Sequence, residues 1–283
     1  MNRKKTNKFK KFFENYSKNV DNASALYFWK LLDEIILSIV AQQIKPPLSE
    51  DKVILDAGGG TGRWIQVLHK IYKSRFILFD NSPEMLNIAR VKPDLQNISN
   101  RLEIIEGDIQ KMLNVPSGSI DYLISIYNPI SFVEKPQLFF NEIQRVLKNK
   151  GIALVMGQGY YNAIASKINN YLVGAPELAN LEKSNKVKWN SSLCPLYVFS
   201  KEFLEELARK AKLETVKSYG IPVFIQPGPG DFDSENKFKS KISLRLEKDK
   251  RFYEAIYNLE MKYNSYDTMV NRGMNLMIAV QKR

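Results

Sequence analysis

From residue 52 onward, short apolar runs alternate with stretches whose apolar residues have helical spacing, and this alternation is the strongest constraint on the fold. Short apolar runs bounded by turn residues predict strands, and the stretches between them carry apolar residues at helical spacing. In chain order the segments read KVILDA, GRWIQVLHKIYK, RFILFD, SPEMLNIARV, LEIIEGD, IDYLISIY, KPQLFFNEIQRVLKN and GIALVMGQ. Strands that alternate with helices need crossover connections, so we predict an α/β fold with a mostly parallel sheet and helices on both faces.

Later elements continue this pattern, but two long stretches interrupt it. The helix SKEFLEELARKAK precedes the strand LETVKSYG, and a helix around 245–263 precedes a final strand, NLMIAVQK. The stretches at about 159–199 and 222–262 exceed ordinary α/β connections, and each follows the carboxyl end of a predicted strand, where open sheets bind ligands. We therefore predict one domain over 51–283 with two cap insertions, completed by an N-terminal helical cap segment over 1–50.

The composition predicts a soluble protein of a reducing compartment. With 44% hydrophobic residues among 283, the chain can bury a full core, and Cys194 is its single cysteine. The longest apolar segment, residues 25–44, is interrupted by Lys30, Asp33 and Glu34, so it predicts an amphipathic helix and not a membrane span. The basic start lacks the apolar stretch of a secretory signal, and we expect a cytoplasmic protein.

The net charge of +12 raises the question of a nucleic-acid partner. Basic residues concentrate in NRKKTNKFKK near the start and in KFKSKISLRLEKDKR at 237–251. The charge is not accompanied by a basic recognition helix, a zinc knuckle or an aromatic RNA-binding strand. We interpret it first as solvated lysine-rich faces, and nucleic acid stays the second interpretation.

The first predicted strand leads into LDAGGGTGRW, residues 55–64, which has four glycines in five positions. Such a loop before a helix presents backbone N–H groups and lets the backbone approach a ligand closely. A nucleoside triphosphate loop would need a Lys followed by Ser or Thr, which this loop lacks. A dinucleotide loop needs G-x-G-x-x-G, but the third glycine is replaced by Arg63 in one frame and by Ile65 in the other.

What the loop does contain is Asp56-x-Gly58-x-Gly60-x-Gly62, an acid followed by glycines at every second position. This pattern resembles the first motif of the class I S-adenosylmethionine-dependent methyltransferases, which have a Rossmann-like fold. Later segments are similar to that family in register, namely FILFDNSPEML, IIEGDIQKM, IDYLISIYNPISF and EIQRVLKNKGIALVMG. The closing YEAIYNLEMKYNSYDTMVNRGMNLMIAVQK is similar to its small-molecule branch. The resemblance implies a seven-stranded sheet whose last strand is antiparallel.

The resemblance also implies where S-adenosylmethionine binds and S-adenosylhomocysteine is left. Asp56 would lie near the methionine amino group, Asp80 would accept hydrogen bonds from both ribose hydroxyls, and Asp108 would face the adenine amino group. Ile109 would contact the adenine ring, and Tyr127 would lie beside the methionine part. The implied cofactor-binding residues are Asp56, Gly58, Gly59, Gly60, Gly62, Asp80, Asn81, Met85, Asp108, Ile109 and Tyr127.

Composition limits the chemistry that can accompany such a donor. The single histidine, His69, lies on the helix after the glycine loop, which runs away from the reacting sulfur, so a histidine base is disfavoured. Any general base would be Asp, Glu, Tyr or Lys, and the catalytic residue stays unassigned. One cysteine and one histidine exclude a zinc site, and the fourth strand ends in Asn128 without an acid, so we expect no metal.

The acceptor side is less defined. Asn128-Pro129 stands where amino-methylating enzymes of nucleobases often carry [DNS]-P-P-[YF], but here Ile and Ser follow, which departs from that motif. The cap segments are rich in aromatic residues and favour an enclosed pocket for a small acceptor. The substrate-side candidates are Tyr16, Tyr27, Asn128, Tyr160, Tyr161, Tyr197 and Phe224.

Three functions follow from these observations. The first is methyl transfer to oxygen or nitrogen of a small metabolite or natural-product intermediate. The second is methylation of tRNA or another nucleic acid, motivated by the net charge. The third is a non-catalytic S-adenosylmethionine-binding partner subunit. The identity of the acceptor, the choice between oxygen and nitrogen, and the oligomeric state stay open.

Overall fold

The computed structural model describes residues 25–190, 193–232 and 239–283, and these residues contain a nine-stranded sheet. The strands are β1 (Val53–Ala57), β2 (Arg75–Asp80), β3 (Leu102–Glu106), β4 (Ile120–Ser125), β5 (Leu147–Gly159), β6 (Lys186–Val187), β7 (Leu196–Phe199), β8 (Leu213–Ile221) and β9 (Asn275–Lys282). Strands β1 to β5 pair in parallel in the order β3-β2-β1-β4-β5. Strand β9 pairs antiparallel with both β5 and β8, so it lies between them.

This architecture confirms the predicted α/β fold, its mostly parallel sheet and its antiparallel last strand. The seven predicted strands are β1 to β5, β8 and β9. Strands β6 and β7 are additional, and both come from the insertion after β5. Strand β7 pairs with the last two residues of β5, and β6 pairs antiparallel with β7.

Eleven α-helices connect and cover the strands in the described part of the chain. They are α1 (Tyr27–Gln43), α2 (Arg63–Leu68), α3 (Pro83–Val91), α4 (Pro93–Gln96), α5 (Pro136–Val146), α6 (Tyr160–Asn169), α7 (Ala175–Ser184), α8 (Lys201–Lys210), α9 (Lys241–Lys248), α10 (Lys250–Tyr263) and α11 (Asp267–Val270). Short 3₁₀ turns occur at Ser99–Arg101, Pro129–Phe132 and Pro229–Phe232.

Two apolar clusters bury the faces of the sheet. One joins strand residues to α1, α2, α3 and α9, and the other joins them to α5, α8 and α11. Alternation along β9 shows the division, because Met277 belongs to the first cluster while Leu276 and Ile278 belong to the second. Successive side chains of a strand point to opposite faces, so apolar runs such as this one fit a sheet covered on both sides.

Helix α1 is the amphipathic helix that the sequence predicts, and it is an integral layer of the core. Seven of its apolar side chains are fully buried, namely Phe28, Leu31, Leu32, Ile35, Ile36, Ile39 and Val40. They pack in the same cluster as residues of β1, β5, β8 and β9. The division of the chain into a cap segment and a catalytic domain stays a prediction.

The insertion after β5 has a small apolar cluster of its own, formed by residues of α6, α7, β6 and β7. The ammonium of Lys167, whose side chain is 4% exposed, pairs with Glu177 at 2.8 Å. It also lies 4.7 Å from the ring centroid of Tyr171 and 5.7 Å from that of Trp189. Charge pairing and two aromatic rings therefore compensate the burial of this lysine.

The insertion after β8 differs from its prediction, because the helix expected around 245–263 is divided into α9 and α10. The break falls at Asp249, whose carboxylate accepts the Phe252 N–H at 3.0 Å and so caps the start of α10. A short side-chain oxygen at this position competes for backbone N–H groups, which favours a helix start over a helix interior.

A buried polar network joins this insertion to α1. Ser243 accepts the Phe28 N–H at 3.1 Å and donates to Asp231 Oδ1 at 2.5 Å. The backbone carbonyl of Asp231 accepts the indole N–H of Trp29 at 2.6 Å.

Within the described ranges, the structure contains no helix long and apolar enough to cross a membrane.

Candidate active site

The glycine loop connects β1 to α2 through backbone conformations that favour glycine. Gly58, Gly60 and Gly62 have φ values of 77°, 56° and 73°. A Cβ on Gly58 would come within 2.5 Å of the Pro129 side chain, whereas one on Gly60 would meet only the Met85 sulfur, at 3.8 Å. The loop is therefore packed against the end of β4 at Gly58 and has free space at Gly60.

Backbone hydrogen bonds dock this loop onto the end of β2. The N–H groups of Gly58 and Gly59 donate to the Phe79 carbonyl at 2.7 and 3.3 Å. The next N–H, that of Gly60, donates to Asp80 Oδ2 at 2.9 Å. The glycine loop is thus held against the end of β2, beside Asp80.

Asp56, at the end of β1, is 1% exposed, and its Oδ2 has no hydrogen-bond partner among the described residues. Burial, together with the nearby charge of Asp80, raises the pKa of the Asp56 carboxyl to about 8. A buried carboxylate without a partner is costly, and a cation beside it would remove that cost. Asp56, which the family resemblance implies to lie near the methionine amino group, therefore has a free acceptor suited to an ammonium group.

Asp80 ends β2 and accepts two backbone N–H groups, from Gly60 on Oδ2 and from Ser82 at 2.8 Å on Oδ1. Burial raises the pKa of the Asp80 carboxyl, and these backbone donors oppose the rise. Each carboxylate oxygen retains a further lone pair, so both ribose hydroxyls could still be accepted. Asp80 does not cap α3, since Ser82 fills that place by accepting the Met85 N–H at 3.3 Å. Asn81 is exposed beside them.

The third acid, Asp108, follows β3 and is half-buried. Its carboxylate accepts the backbone N–H of Gln110 at 2.8 Å and the side-chain amide of the same residue at 3.1 Å. Ile109 is 8% exposed and belongs to the second core cluster. These contacts fix the turn after β3 at the same edge of the sheet as Asp56 and Asp80.

Tyr127 follows β4 with a φ of 62° and contacts a partly buried charged pair that the sequence did not reveal. Its hydroxyl donates to Asp33 Oδ1, and Asp33 Oδ2 pairs with the Arg63 guanidinium. Trp64 lies against the same phenol, with ring centroids 6.3 Å apart. The signal in the sequence was weak, since Asp33 reads only as a charge that interrupts an apolar helix.

Burial and the charge of Asp33 raise the pKa of Tyr127 well above its ordinary value. Burial by itself would lower the pKa of Arg63, but its partners, among them the Asp33 carboxylate, outweigh burial and raise that pKa. The phenol is therefore a stable hydrogen-bond donor at neutral pH, and it has no role as a base in this state.

Asn128, the next residue, has a φ of 71° and donates its side-chain amide to Asn275 Oδ1 at 2.8 Å. Asn275 in turn donates to the Ile221 carbonyl at 3.3 Å. The other amide atom of Asn128, Oδ1, is buried without a partner among the described residues. Sequence reasoning named Asn128 but missed Asn275, which reaches the site because β9 begins at this edge of the sheet.

Three aromatic candidates pack on α1 and on the insertion after β5. Tyr27 lies edge-on to Tyr253 at 6.4 Å, on the surface between α1 and α10. Tyr160 lies edge-on to Tyr161 at 5.2 Å, and Tyr161 is 51% exposed. Tyr16 falls outside the described residues.

The last two aromatic candidates pack elsewhere. Tyr197 stacks on Phe199 at 6.2 Å, on the side of β7 that faces the second core cluster. Phe224 is 42% exposed and lies edge-on to Tyr263 at 5.7 Å. The aromatic candidates therefore belong to separate packing groups, whereas Asn128 adjoins the glycine loop through its chain neighbour Pro129.

His69 ends α2, and burial, with the charge of Arg101, lowers the pKa of its imidazole. It lies one helix length beyond the glycine loop. Across the described residues, no group of three or more His, Cys, Asp or Glu side chains could hold a metal ion.

Part of the chain matches a known family of protein domains. Residues 54–151, from β1 into β5, match the family model described as a methyltransferase domain. Over these residues the chain therefore has a methyltransferase domain. The matched range of this methyltransferase domain contains all three acids, the glycine loop and Tyr127. No curated protein sequence matches the chain.

Solved structures share the fold of the methyltransferase domain at low sequence identity. One is an S-adenosylmethionine-dependent methyltransferase from Thermotoga maritima, described as a possible histamine N-methyltransferase, with 20% identity over 96% of this chain and 98% of that one (TM-score 0.55). Another is geranyl diphosphate C-methyltransferase from Streptomyces coelicolor, with 13% identity over 89% and 79% of the two chains (TM-score 0.56). A chain of the Trm112 methyltransferase activator complex from Haloferax volcanii has 17% identity over 95% and 96% (TM-score 0.55).

Proposed function

We propose that this methyltransferase domain binds S-adenosylmethionine at the carboxyl ends of β1, β2 and β3 and transfers its methyl group to oxygen or nitrogen of a small molecule. The observation that carries the cofactor site is the buried, unpartnered Oδ2 of Asp56 beside the glycine loop. The methionine part of the cofactor has an ammonium group, which supplies the missing partner.

The neighbouring residues fit the rest of the cofactor. Asp80 would accept the ribose hydroxyls, and the free space at Gly60 lets the cofactor approach the backbone. Asp108 and Ile109 stand at the end of β3, where the adenine would lie. Asn81 and Met85 complete the proposed set beside them.

When bound, S-adenosylmethionine supplies a methyl group that is activated by the sulfonium charge. The chain's contribution is to align the acceptor with that carbon and to exclude water, and alignment of two reactants can supply roughly 7–11 kcal/mol. Tyr127, whose hydroxyl donates a hydrogen bond to Asp33, would form the boundary of the site beside the methionine part of the cofactor. A protonated phenol in this position orients a ligand without competing as a nucleophile.

The two insertions beside the proposed cofactor site fit a small acceptor better than a nucleic acid. The insertion after β5 is a compact unit with its own apolar cluster, and the insertion after β8 is tied to α1 by buried hydrogen bonds. Both follow the strand ends where the cofactor would bind. Two fold relatives are described by small acceptors, one as a possible histamine N-methyltransferase and the other as geranyl diphosphate C-methyltransferase.

Calorimetric titration with S-adenosylhomocysteine tests the cofactor site. We expect binding by the unmodified protein and a loss of at least about tenfold in Asp80→Ala, because a carboxylate that accepts two hydroxyls is removed. Asp94→Ala is the matched control, since Asp94 pairs with Lys70 on the surface at 3.5 Å. The absence of binding by the unmodified protein would overturn the proposal.

Transfer of a labelled methyl group tests the acceptor class. The protein is incubated with methyl-tritiated S-adenosylmethionine and, separately, with the small-molecule and the RNA fractions of a cell extract. We expect label in the small-molecule fraction. Label in RNA, with an affinity that falls steeply as salt rises, would favour a nucleic-acid methyltransferase instead. Cofactor binding without label in either fraction would favour a partner subunit.

A further inference from the structure

We propose that helix α9 docks the protein on a membrane surface rich in anionic lipids. The docking surface is the basic face of α9, defined by Lys241, Leu244, Arg245 and Lys248. The proposal goes beyond the proposed function, because it depends neither on the cofactor nor on the methyl acceptor. It starts from the net charge of +12, which the methyltransferase site does not use.

The positive charge of the chain is concentrated in two short stretches. Residues 1–24 contain seven Lys or Arg and two acids, and residues 239–251 contain six Lys or Arg and two acids. In about an eighth of the chain, the two stretches therefore carry nine of the twelve net positive charges. Charge that is localised in this way is typical of a surface that meets an anionic partner.

The fold brings the two stretches close together, although they are far apart in the chain. The first stretch ends four residues before Phe28, and four residues span at most about 14 Å. The N–H of Phe28 donates to the Ser243 hydroxyl of α9 at 3.1 Å. The end of the first stretch therefore lies beside α9, which contains part of the second.

The basic face is the exposed side of α9, and the opposite side, with Leu246, is buried in the core. Members of the basic face follow one another at spacings of three or four residues, so they share one side of the helix, and all are exposed. Arg245 pairs with Asp249 at 3.0 Å. Lys241 and Lys248 have no ion pair within the described ranges, so their charges are available to a partner.

Exposed apolar side chains lie among these charges. Leu244 is 36% exposed within the basic face, and Phe232 is 66% exposed. Phe232 is held beside α9, because its chain neighbour Asp231 accepts the Ser243 hydroxyl. A nucleic acid offers phosphates to lysines but no apolar phase to a leucine, whereas an anionic lipid surface offers both. The combination of charged and apolar side chains therefore favours lipid.

The basic face adjoins the proposed site through Trp29. The Trp29 ring centroid lies 5.8 Å from that of Phe232 and 6.2 Å from that of Tyr127. Docking on the basic face would therefore bring the lipid surface within two aromatic rings of the proposed methionine end of the site.

Co-sedimentation of the full chain with lipid vesicles tests the proposal. One set of vesicles consists of phosphatidylcholine alone, and the other contains about one third of anionic phosphatidylglycerol. We expect binding to the anionic vesicles that weakens as the salt concentration rises, and at least about tenfold weaker binding to the neutral vesicles. The absence of binding to the anionic vesicles would overturn the proposal.

Lys241→Glu combined with Lys248→Glu reverses the free charges of the basic face. We expect the affinity for anionic vesicles to fall at least about tenfold. Lys73→Glu combined with Arg75→Glu is the matched control, because both residues are exposed beside Tyr72, which contacts the opposite end of α1. The control should stay within about twofold of the unmodified protein. An equal loss in the two double variants would contradict docking through α9.

Leu244→Ser tests the apolar part of the basic face. We expect about threefold weaker binding to anionic vesicles, because an exposed leucine that enters the lipid is lost. Leu138→Ser is the matched control, since Leu138 is 42% exposed on α5, which covers the other face of the sheet. All these variants should bind S-adenosylhomocysteine like the unmodified protein, because none changes the proposed cofactor site.

A fluorescent RNA oligonucleotide of mixed sequence tests the alternative partner by anisotropy. We expect affinity for anionic vesicles that depends on both the charges and Leu244, and at least about tenfold weaker binding of RNA at the same salt concentration. RNA binding that is lost on charge reversal, together with vesicle binding that Leu244→Ser leaves unchanged, would overturn the proposal in favour of a nucleic-acid partner.

Discussion

The hydroxyl of Tyr127 donates a 2.5 Å hydrogen bond to Asp33 Oδ1, although 94 positions separate the two residues in the chain. The other oxygen of Asp33 pairs with Arg63, whose guanidinium lies 5.2 Å from the centroid of the Tyr127 ring. The contact joins α1, the helix after the glycine loop and the end of β4. It gives the proposed methionine end of the site one rigid boundary.

Tyr127→Phe should weaken this boundary without disturbing the pair between Asp33 and Arg63. We expect a loss of about 1–2 kcal/mol in the free energy of unfolding, from one partly buried hydrogen bond, and a weaker affinity for S-adenosylhomocysteine. Thermal unfolding and calorimetric titration provide the two measurements. Tyr161→Phe is the control, since Tyr161 is half exposed. Equal values for the two variants would show that the contact is dispensable.

Alanine at two glycines of the loop should separate folding from binding. Gly58→Ala forces a side chain into Pro129 at 2.5 Å and should destabilise the fold by more than about 2 kcal/mol. Gly60→Ala meets free space and carries only the backbone cost of about 1 kcal/mol, but it occupies the proposed cofactor surface. We therefore expect Gly60→Ala to fold and to lose cofactor affinity. Full affinity in Gly60→Ala would place the cofactor elsewhere.

Asp56 should make stability without cofactor depend on pH. Its pKa is about 8 in the folded protein and 3.8 ordinarily, so the folded state retains a proton that the unfolded state loses in between. This contribution to stability is complete below about pH 4 and is lost as the pH rises through 8. Asp56→Asn should remove the dependence and raise the free energy of unfolding at pH 8 by about 2 kcal/mol or more. Urea titrations at several pH values measure it, and parallel pH profiles for the two proteins would contradict the expectation.

The same group should make cofactor binding release a proton. An ammonium group favours the Asp56 carboxylate, so the affinity for S-adenosylhomocysteine should rise with pH, up to about tenfold per unit, until it levels near pH 8. Calorimetry in two buffers with different enthalpies of ionisation counts the protons. Asp56→Asn should bind weakly and without proton release. Proton uptake by the unmodified protein would reverse the assignment.

Ser243→Ala should loosen the insertion after β8 from α1. The substitution removes the hydroxyl that accepts the Phe28 N–H and donates to the Asp231 carboxylate, so both groups lose this hydrogen bond. We expect a loss of about 1–3 kcal/mol, the cost of leaving buried polar groups unpaired. Ser119→Ala is a suitable control, because that hydroxyl makes an exposed hydrogen bond. A loss no larger than the control's would mean that packing alone holds the insertion.

The sequence predicted the order and type of the main strands and helices, and it missed one helix boundary. The strand and helix alternation follows from short segments read in order, and the antiparallel last strand and the acids at the ends of β1, β2 and β3 follow from the family resemblance of those segments. The break at Asp249 was missed because helical spacing continues across it, and a capping contact interrupts the helix.

The candidate site divides in the same way. Asp56, Asp80 and the glycines could be named because the loop carries its own pattern, whereas Asp33 and Asn275 could not. Each acts through a partner more than 90 positions away, and no local periodicity records such a pairing. The aromatic candidates were chosen for their abundance, which predicts packing as readily as ligand contact.

The placement of β9 has a consequence for the order in which the molecule can assemble. Strand β8 pairs only with β9 among the described strands, so it has no neighbour in the sheet until β9 inserts beside β5. Asn275 enters the sheet as the first residue of β9, and its amide then donates to the Ile221 carbonyl of β8. During synthesis the glycine loop can therefore mature early, while Asn128 obtains its orientation only when the strand that follows every other element has entered the sheet.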